Sequence, residues 1–523
     1  MADELRDVSI VAKATLVSRV LGLLRDVLVF AVLGVGAINS AFILGFTVPN
    51  LFRRLLGEGA LTSAIIPVMS EFRELEGSDG GFSLLNRVLS WLICVLVGLC
   101  GVGMLLLWGL HGVEGLGERW HLGIELTGIL LPYMIFICLA AILVAALNVH
   151  GKFFVPALGP VFLNLAMIAG LGAAWLFEQE SLLNRVYWLC GGVLVGGGLQ
   201  LVTPFLAYRK EGWRFCWDFE LSRDVKEVVR LLIPGLAGAA IFQVNILVSR
   251  LIAFQLDENA AGVLYLGSRL VELPLGIFAV AIATVYFPKM AQSASKKDGK
   301  AFMEQYTDAF MQIIAITVPA SVGLILLREP ILEVLFAWGR FSYADVLLTM
   351  GPLFWFALGI PFYGCSTLGV RGLHSWKEMK APIKLGAVNG LLNLVLSLLL
   401  MKPMGAEGLA LANVFSAAIH AYLLDRKLKQ QSLIIGFGGV EWSRLFVVGL
   451  GAISMGVFVY LAMLGCDLIW GMDRSKGLDI LLLCLVIPSG VAVYLGVLHR
   501  CHSKDAHLLL SMITRQRVGQ KKD

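Results

Sequence analysis

Apolar runs long enough to cross a bilayer recur along almost the whole chain, and nothing else in the sequence restricts its fold as tightly. A hydrocarbon core of about 30 Å takes about 20 residues of α-helix. "WLICVLVGLCGVGMLLLWGL" (Trp91–Leu110) is one such run. About fourteen can be read, near 9–34, 39–70, 84–110, 124–148, 156–177, 186–208, 228–254, 260–290, 305–327, 347–372, 383–401, 408–425, 445–465 and 478–498. With 58% hydrophobic and 15% charged residues and a mean hydropathy of +0.82, 523 residues cannot supply the polar surface of a soluble protein. Runs of this length point to helices rather than a barrel. The expected fold class is therefore an all-α polytopic membrane protein.

The loops set an expected orientation. With the N-terminus inside, the cytoplasmic connections include "YRKEGWRFCWDFELSRDVKEVVR", "PKMAQSASKKDGK", "VRGLHSWKEMKAPIK" and "DRKLKQQ". These carry most of the loop Lys and Arg, as the positive-inside rule requires. Both termini are then cytoplasmic. The opening "MADELRDVSIVAKATLVSRVLG" is interrupted by Lys13 and Arg19 and does not read as a cleavable signal peptide.

Matches in the same order recur at an offset of roughly 220 to 230 residues, the mark of an internal repeat. "LVSR" occurs at Leu16–Arg19 and Leu247–Arg250, and "SAIIPVMS" (Ser63–Ser70) echoes "TVYFPKMA" (Thr284–Ala291). "NVHGKFFVPALGPVFLN" (Asn148–Asn164) echoes the stretch Gly369–Asn393. The expectation is a six-helix lobe over residues 1–210 and a second over 211–430, related by a pseudo-two-fold axis along the membrane normal. Two further helices over 431–500 and a basic cytoplasmic tail over 501–523 complete the chain. Repeated lobes of this kind are the usual design for alternating access.

Several charges fall inside predicted spans: Arg19, Arg25, Asp26, Arg53, Arg54, Glu58, Arg250 and Arg269. An arginine at a helix centre costs about 2.5–3.5 kcal/mol. Six facing lipid would cost on the order of 15–20 kcal/mol. Single arginines near helix ends snorkel to the headgroups, which suits Arg250. The cluster on the first two helices calls for a cavity, water or an anion. Helical spacing puts Arg54 and Glu58 on one face, and Arg19 and Asp26 on another. Arg25, Arg53 and Arg269 are left without a partner. Such a cationic pocket suits an anionic ligand, and the guanidinium fork suits phosphate. Pro49, Gly57, Gly59 and Pro67 interrupt the second span, and Pro274 and Gly276 interrupt the eighth. Broken segments at matching places in two halves point to a binding site; ordinary kinks or close helix packing are the alternative.

Other chemistry is not encoded in a recognisable form. There is no P-loop, no HExxH and no zinc spacing among the nine cysteines and eight histidines. No cofactor or metal is expected. "GGVLVGGG" (Gly191–Gly198) lies within an apolar run and reads as helix packing rather than a phosphate loop.

"SRVLGLLRD", "PNLFRRLLGEGALTSAIIP", "SRLVELPLG" and "KEMKAPIK" resemble the MurJ (MviN) family of bacterial lipid II flippases, within the multidrug/oligosaccharidyl-lipid/polysaccharide exporter superfamily. The resemblance covers nearly the whole chain. It implies an inner-membrane transporter, not an enzyme, that serves peptidoglycan synthesis by moving undecaprenyl-diphosphate-linked disaccharide-pentapeptide (lipid II) between leaflets. By resemblance, Arg19, Arg25, Arg53 and Arg269 fall on cavity arginines that engage the diphosphate. Asp26, Arg54 and Glu58 match supporting or gating positions, and the helices at about 445–498 match a groove for the lipid tail. Ser40 stands where many relatives have Asp. Ser249 and Asn393, with Asn389 a turn earlier, stand where some have sodium-site carboxylates, which weakens sodium coupling and leaves the membrane potential or protons as drivers. A monomer without nucleic-acid partners is expected.

The alternatives are an exporter of another polyprenyl-diphosphate-linked glycan, a drug/cation antiporter of the same fold, a polytopic enzyme acting on lipid phosphates, and a non-transporting scaffold. A cation antiporter would call for acidic residues in place of these arginines, and such an enzyme for acidic or metal-binding loops.

Overall fold

The computed structural model describes residues 2–177, 181–432, 442–471 and 475–501, apart from the side chains of a few residues within helices, Glu58 among them. The basic tail expected over 501–523 lies, beyond Cys501, outside the described residues. Among the described residues the regular structure is helical throughout. The chain divides into two compact units, Met1–Gly262 with Trp338–Ser342, and Val263–Ala337 with Tyr343–Asp523.

The first unit holds α1 (Ala2–Leu33), α2 (Ala37–Phe52), α3 (Leu61–His111), α4 (Glu118–Leu130), α5 (Tyr133–Val149), α6 (Phe154–Phe177), α7 (Leu182–Lys210) and α8 (Arg223–Leu256). Gly34 ends α1 in the left-handed region (φ +70°), where a side chain would be strained, while its N–H still donates to the Phe30 carbonyl. The core is formed by Leu84, Leu85 and Leu96 of α3, Tyr133, Met134 and Ile142 of α5, and Leu189 of α7. The run "GGVLVGGG" is helical and packed, as expected. A Cβ on Gly192 would stand 2.7 Å from the Ala166 carbonyl oxygen of α6, and one on Gly196 would stand 3.0 Å from Leu163 Cα. Glycine is what lets α6 and α7 approach so closely. Although α8 begins within the expected second lobe, it packs in this first unit, against α2, α3 and the segment between them.

The second unit takes in most of α9 (Ala260–Pro274), then α10 (Val280–Ser295), α11 (Gly299–Leu326), α12 (Arg328–Phe336), α13 (Tyr343–Ser375), α14 (Lys380–Gln431), α15 (Trp442–Trp470) and α16 (Lys476–Arg500). Gly405 (φ 58°, ψ −136°) breaks α14 into two helices. The last pair packs on α11 and α12: Tyr494 Oη donates to the Ala315 carbonyl at 2.6 Å, and Arg444 pairs with Asp308 at 3.3 Å.

Among the described residues, ten helical stretches are long and apolar enough to cross a membrane. One of them, Lys380–Gln431, contains both expected spans 383–401 and 408–425, on either side of Gly405. The expected spans 9–34, 39–70 and 228–254 are not among the ten. Their helices carry Arg19, Arg25, Asp26, Arg53, Arg54 and Arg250, the charges that make this chain unlike an ordinary membrane bundle.

The interrupted spans do not break; they widen. Between α2 and α3 the backbone is π-helical over Arg53–Ala60, and between α9 and α10 over Leu275–Ala279. Prolines remove α-type donors, Pro49 before the first segment and Pro274 directly before the second. Each segment also contains glycine, at Gly57 and Gly59 and at Gly276. The i→i+5 pattern is rare and is frequently found at functional sites. It occurs here twice, in segments that start 222 residues apart, at Arg53 and Leu275, within the offset of the repeat expected from sequence.

Candidate functional site

The arginines differ in how far the protein neutralises them. Arg25, on α1, is buried at 7% exposure. Its Nε and Nη2 donate to Asp26 Oδ1 at 3.1 and 2.6 Å, and its Nη1 donates to Asn164 Oδ1 at 2.9 Å. Asn164, also buried, comes from α6, and its Nδ2 donates to the Ser18 carbonyl at 3.0 Å. This one amide thus holds both the guanidinium and the backbone of α1. The Arg25–Asp26 pair corrects the expected pairing of Asp26 with Arg19 and removes Arg25 from the uncompensated cations. Seven-residue spacing aligns Cα positions, but packing decides which side chains are buried together. Here α1 turns Arg25 toward Asn164 of α6, and the guanidinium also reaches back to the neighbouring Asp26.

Arg19 is exposed and hydrogen-bonds to no described residue. It lines a cleft of about 400 Å³ with Thr15, Ser18, Asn148, Phe153 and Pro156. Arg53 opens the first π segment, half-buried, with its Nε donating to Asn50 Oδ1 at 3.2 Å. Arg54, the next residue, is exposed and pairs with no described residue. Its expected partner, the Glu58 side chain, lies outside the described residues. The i,i+4 spacing behind that expectation belongs to an α-helix, and the π segment replaces it.

In the second unit Arg269 lies on α9, five residues before the Pro274 that precedes the second π segment. Its Nη1 pairs with Glu272 at 2.7 Å. Arg269 is therefore also not the uncompensated cation expected from sequence: Glu272 sits one turn away, at i,i+3. The pair is more than one-third exposed at both side chains, so water screens it.

Asn50, Asn164 and Glu272 are the residues that the sequence reading did not single out. Asn164 had a signal, since the repeat aligns it with Asn393, and both are amides buried in apolar helices. Ser40 has a structural explanation. Fully buried, it donates to the Glu258 carbonyl at 2.6 Å, a bond that an ionised aspartate has no proton to make. Ser249 is half-buried on α8 and Asn393 buried on α14. Among the described residues, no three His, Cys, Asp or Glu side chains gather as a metal-binding group.

A second feature is apolar. Val318, Val322 and Leu326 of α11 and Gly449, Ala452, Gly456 and Tyr460 of α15 line a cleft of about 450 Å³.

Comparison with known proteins bears on the family and the fold. The family model described as lipid II flippase MurJ matches residues 29–471. A probable lipid II flippase MurJ from Bdellovibrio bacteriovorus is 30% identical over 513 residues, covering 94% of each chain. The solved structure of a lipid II flippase MurJ in an inward closed conformation superimposes with a TM-score of 0.77 at 25% identity, covering 97% of this chain and 98% of that one. An inward-facing multidrug resistance MATE family transporter of the MOP superfamily shares the fold, with a TM-score of 0.64 at 15% identity over 80% of this chain and 96% of that one. This chain belongs to the MurJ family of lipid II flippases.

Proposed function

We propose that this chain, a multi-pass inner-membrane protein, carries lipid II from the inner to the outer leaflet by alternating access. The observation that carries the reading is Arg53: a half-buried guanidinium, braced by Asn50, at the start of a π-helical turn in an otherwise apolar bundle. A guanidinium offers a phosphate two parallel donors, and partial exclusion of water strengthens those bonds. Arg19, Arg25 and Arg53 of the first unit and Arg269 of the second serve the diphosphate and head group. Arg19, exposed beside its cleft, is the cation most available for capture. Arg25 is held by Asp26 and Asn164 and keeps one orientation. Asp26, Arg54 and Glu58 support or gate the site, and the recurring π turns give both repeats a place to bend.

The polyprenyl tail lies along the cleft between α11 and α15, whose lining asks for no polar partner. No bond of the substrate is made or broken. Membrane potential, worth about 2.3 kcal/mol per charge per 100 mV, resets the carrier. Both termini face the cytoplasm, and the chain works as a monomer. Arg53→Ala and Arg53→Lys, expressed at normal level in cells depleted of their own flippase, test the reading. The alanine variant should fail to support growth, and the lysine variant should support it in part. Normal growth with Arg53→Ala removes this role from Arg53.

A further inference from the structure

The connector after α7 reads "WRFCWDFEL" (Trp213–Leu221), aromatic or apolar at every second position. It contains no helix or strand. The rings follow one another along one side, with centroids 6.3 Å apart for Trp213–Phe215, 5.1 Å for Phe215–Trp217 and 5.7 Å for Trp217–Phe219. An extended backbone produces this by alternating its side chains.

Polar contacts fasten the connector to the beginning of the apolar part of α3. Asp218 pairs with Arg87 at 3.0 Å, and Glu220 pairs with the same arginine. The Asp218 N–H donates to Ser90 Oγ, Trp213 Nε1 donates to Asn86 Oδ1, and Asn86 Nδ2 donates to the Arg214 carbonyl. Trp213 is fully buried against Phe205 and Tyr208. The far end of the ladder is open: Trp217 is 55% exposed, Phe219 48% and Leu221 56%.

What covers that open end follows from α3. Phe219 meets Trp91 edge to face at 5.7 Å. On the same face of α3 beyond Trp91 come Val95, Leu99, Val102 and Leu106, all exposed. From Trp91 to Leu106 the helix rises about 22 Å, most of a hydrocarbon core about 30 Å thick. This stripe is what α3 presents to lipid, and the aromatic ladder continues it at its end. That end is the level where aromatic rings with one wet edge collect. Charge agrees. Asp218 and Glu220 are taken up by Arg87, and Glu211 by Lys152, whereas Arg209, Lys210 and Arg214 are exposed and ion-pair with no described residue.

We infer that residues 213–221 form an interfacial anchor, with Trp217, Phe219 and Leu221 seated at the acyl boundary of the bilayer and Arg209, Lys210 and Arg214 directed to phospholipid phosphates. The anchor ties the start of α8 to the membrane surface, and it stands whether or not the chain carries lipid II.

The test uses the full chain in vesicles of phosphatidylcholine and phosphatidylglycerol. A spin label is placed at Phe219→Cys or, on the opposite side, at Glu220→Cys, with the native exposed cysteines replaced by serine. The ratio of collision with oxygen to collision with a water-soluble nickel complex should be severalfold higher at 219 than at 220. Equal, water-like ratios overturn the inference, as does shielding of 219 that appears only when a second protein is added. In the native-cysteine protein, Trp217→Phe should lower the fraction of tryptophan fluorescence quenched by brominated lipid. An unchanged fraction also overturns it.

Discussion

Replacing Asp26 with alanine isolates the strongest claim about how the first unit tolerates charge. The Arg25 and Asp26 side chains are 9% and 3% exposed, with the nearest atoms 2.6 Å apart. Two charges centred about 4 Å apart attract by about 4 kcal/mol at an effective dielectric constant of 20. Removing one partner of such a pair also strands the other charge, and breaking a buried pair typically costs 3–5 kcal/mol. Asn164 remains bonded to Arg25 and limits the loss, so Asp26→Ala should cost about 3 kcal/mol. Arg25→Met with Asp26→Leu removes both charges and should recover most of that loss, while transport stays impaired. The assay is reversible unfolding of the purified chain in detergent, with Arg19→Ala as the exposed control. A cost for Asp26→Ala below about 1 kcal/mol, or equal to that of the control, refutes the buried-pair argument, because that is the range of exposed pairs.

Three further outcomes follow from single contacts. Asn164→Leu removes a charged hydrogen bond to Arg25 and a second to Ser18, and should destabilise the protein by about 2–3 kcal/mol in the same unfolding assay. Ser40→Asp replaces a buried donor with a group that donates only when protonated, so stability should fall at pH 7 and partly return at pH 4, read by thermal unfolding against wild type. Gly449→Phe projects into the cleft between α11 and α15 where a Cβ meets nothing within 4 Å. It should leave the melting temperature nearly unchanged and weaken lipid II binding severalfold, measured in nanodiscs; unchanged binding would remove the tail from this cleft.

Much of this fold could be read from sequence because a bilayer permits so few solutions. Apolar length alone located the stretches from 84–110 onward except 228–254, and the glycine run pointed to close helix packing, which the structure places between α6 and α7. The site was harder, for three separate reasons. Periodicity gives directions around a helix but not which direction is buried: spacing alone pairs Asp26 with Arg19, whereas packing gives it Arg25. The proline and glycine signals mark the second and eighth spans as interrupted, and Gly57, Gly59 and Gly276 fall in the π segments, whereas Pro49 and Pro67 lie within regular α2 and α3. Whether the chain breaks or widens to a π-helix depends on neighbours that a linear pattern does not contain. Asn164 contacts Arg25 across 139 residues. Such a partner can be found only once α1 and α6 are packed, although the aligned Asn393 hinted that a buried amide belonged there. The affiliation of α8 with the first unit is likewise a matter of packing, invisible to a repeat count.

The most direct measurement is the exposure of lipid II at the outer face of the inner membrane, by enzymatic cleavage from outside, in cells depleted of their own flippase and supplied with this chain. The wild-type chain should restore exposure, and Arg53→Ala, present at the same level, should not. Exposure that remains absent with the wild-type chain correctly inserted, or returns in full with Arg53→Ala, would contradict transport of lipid II through Arg53.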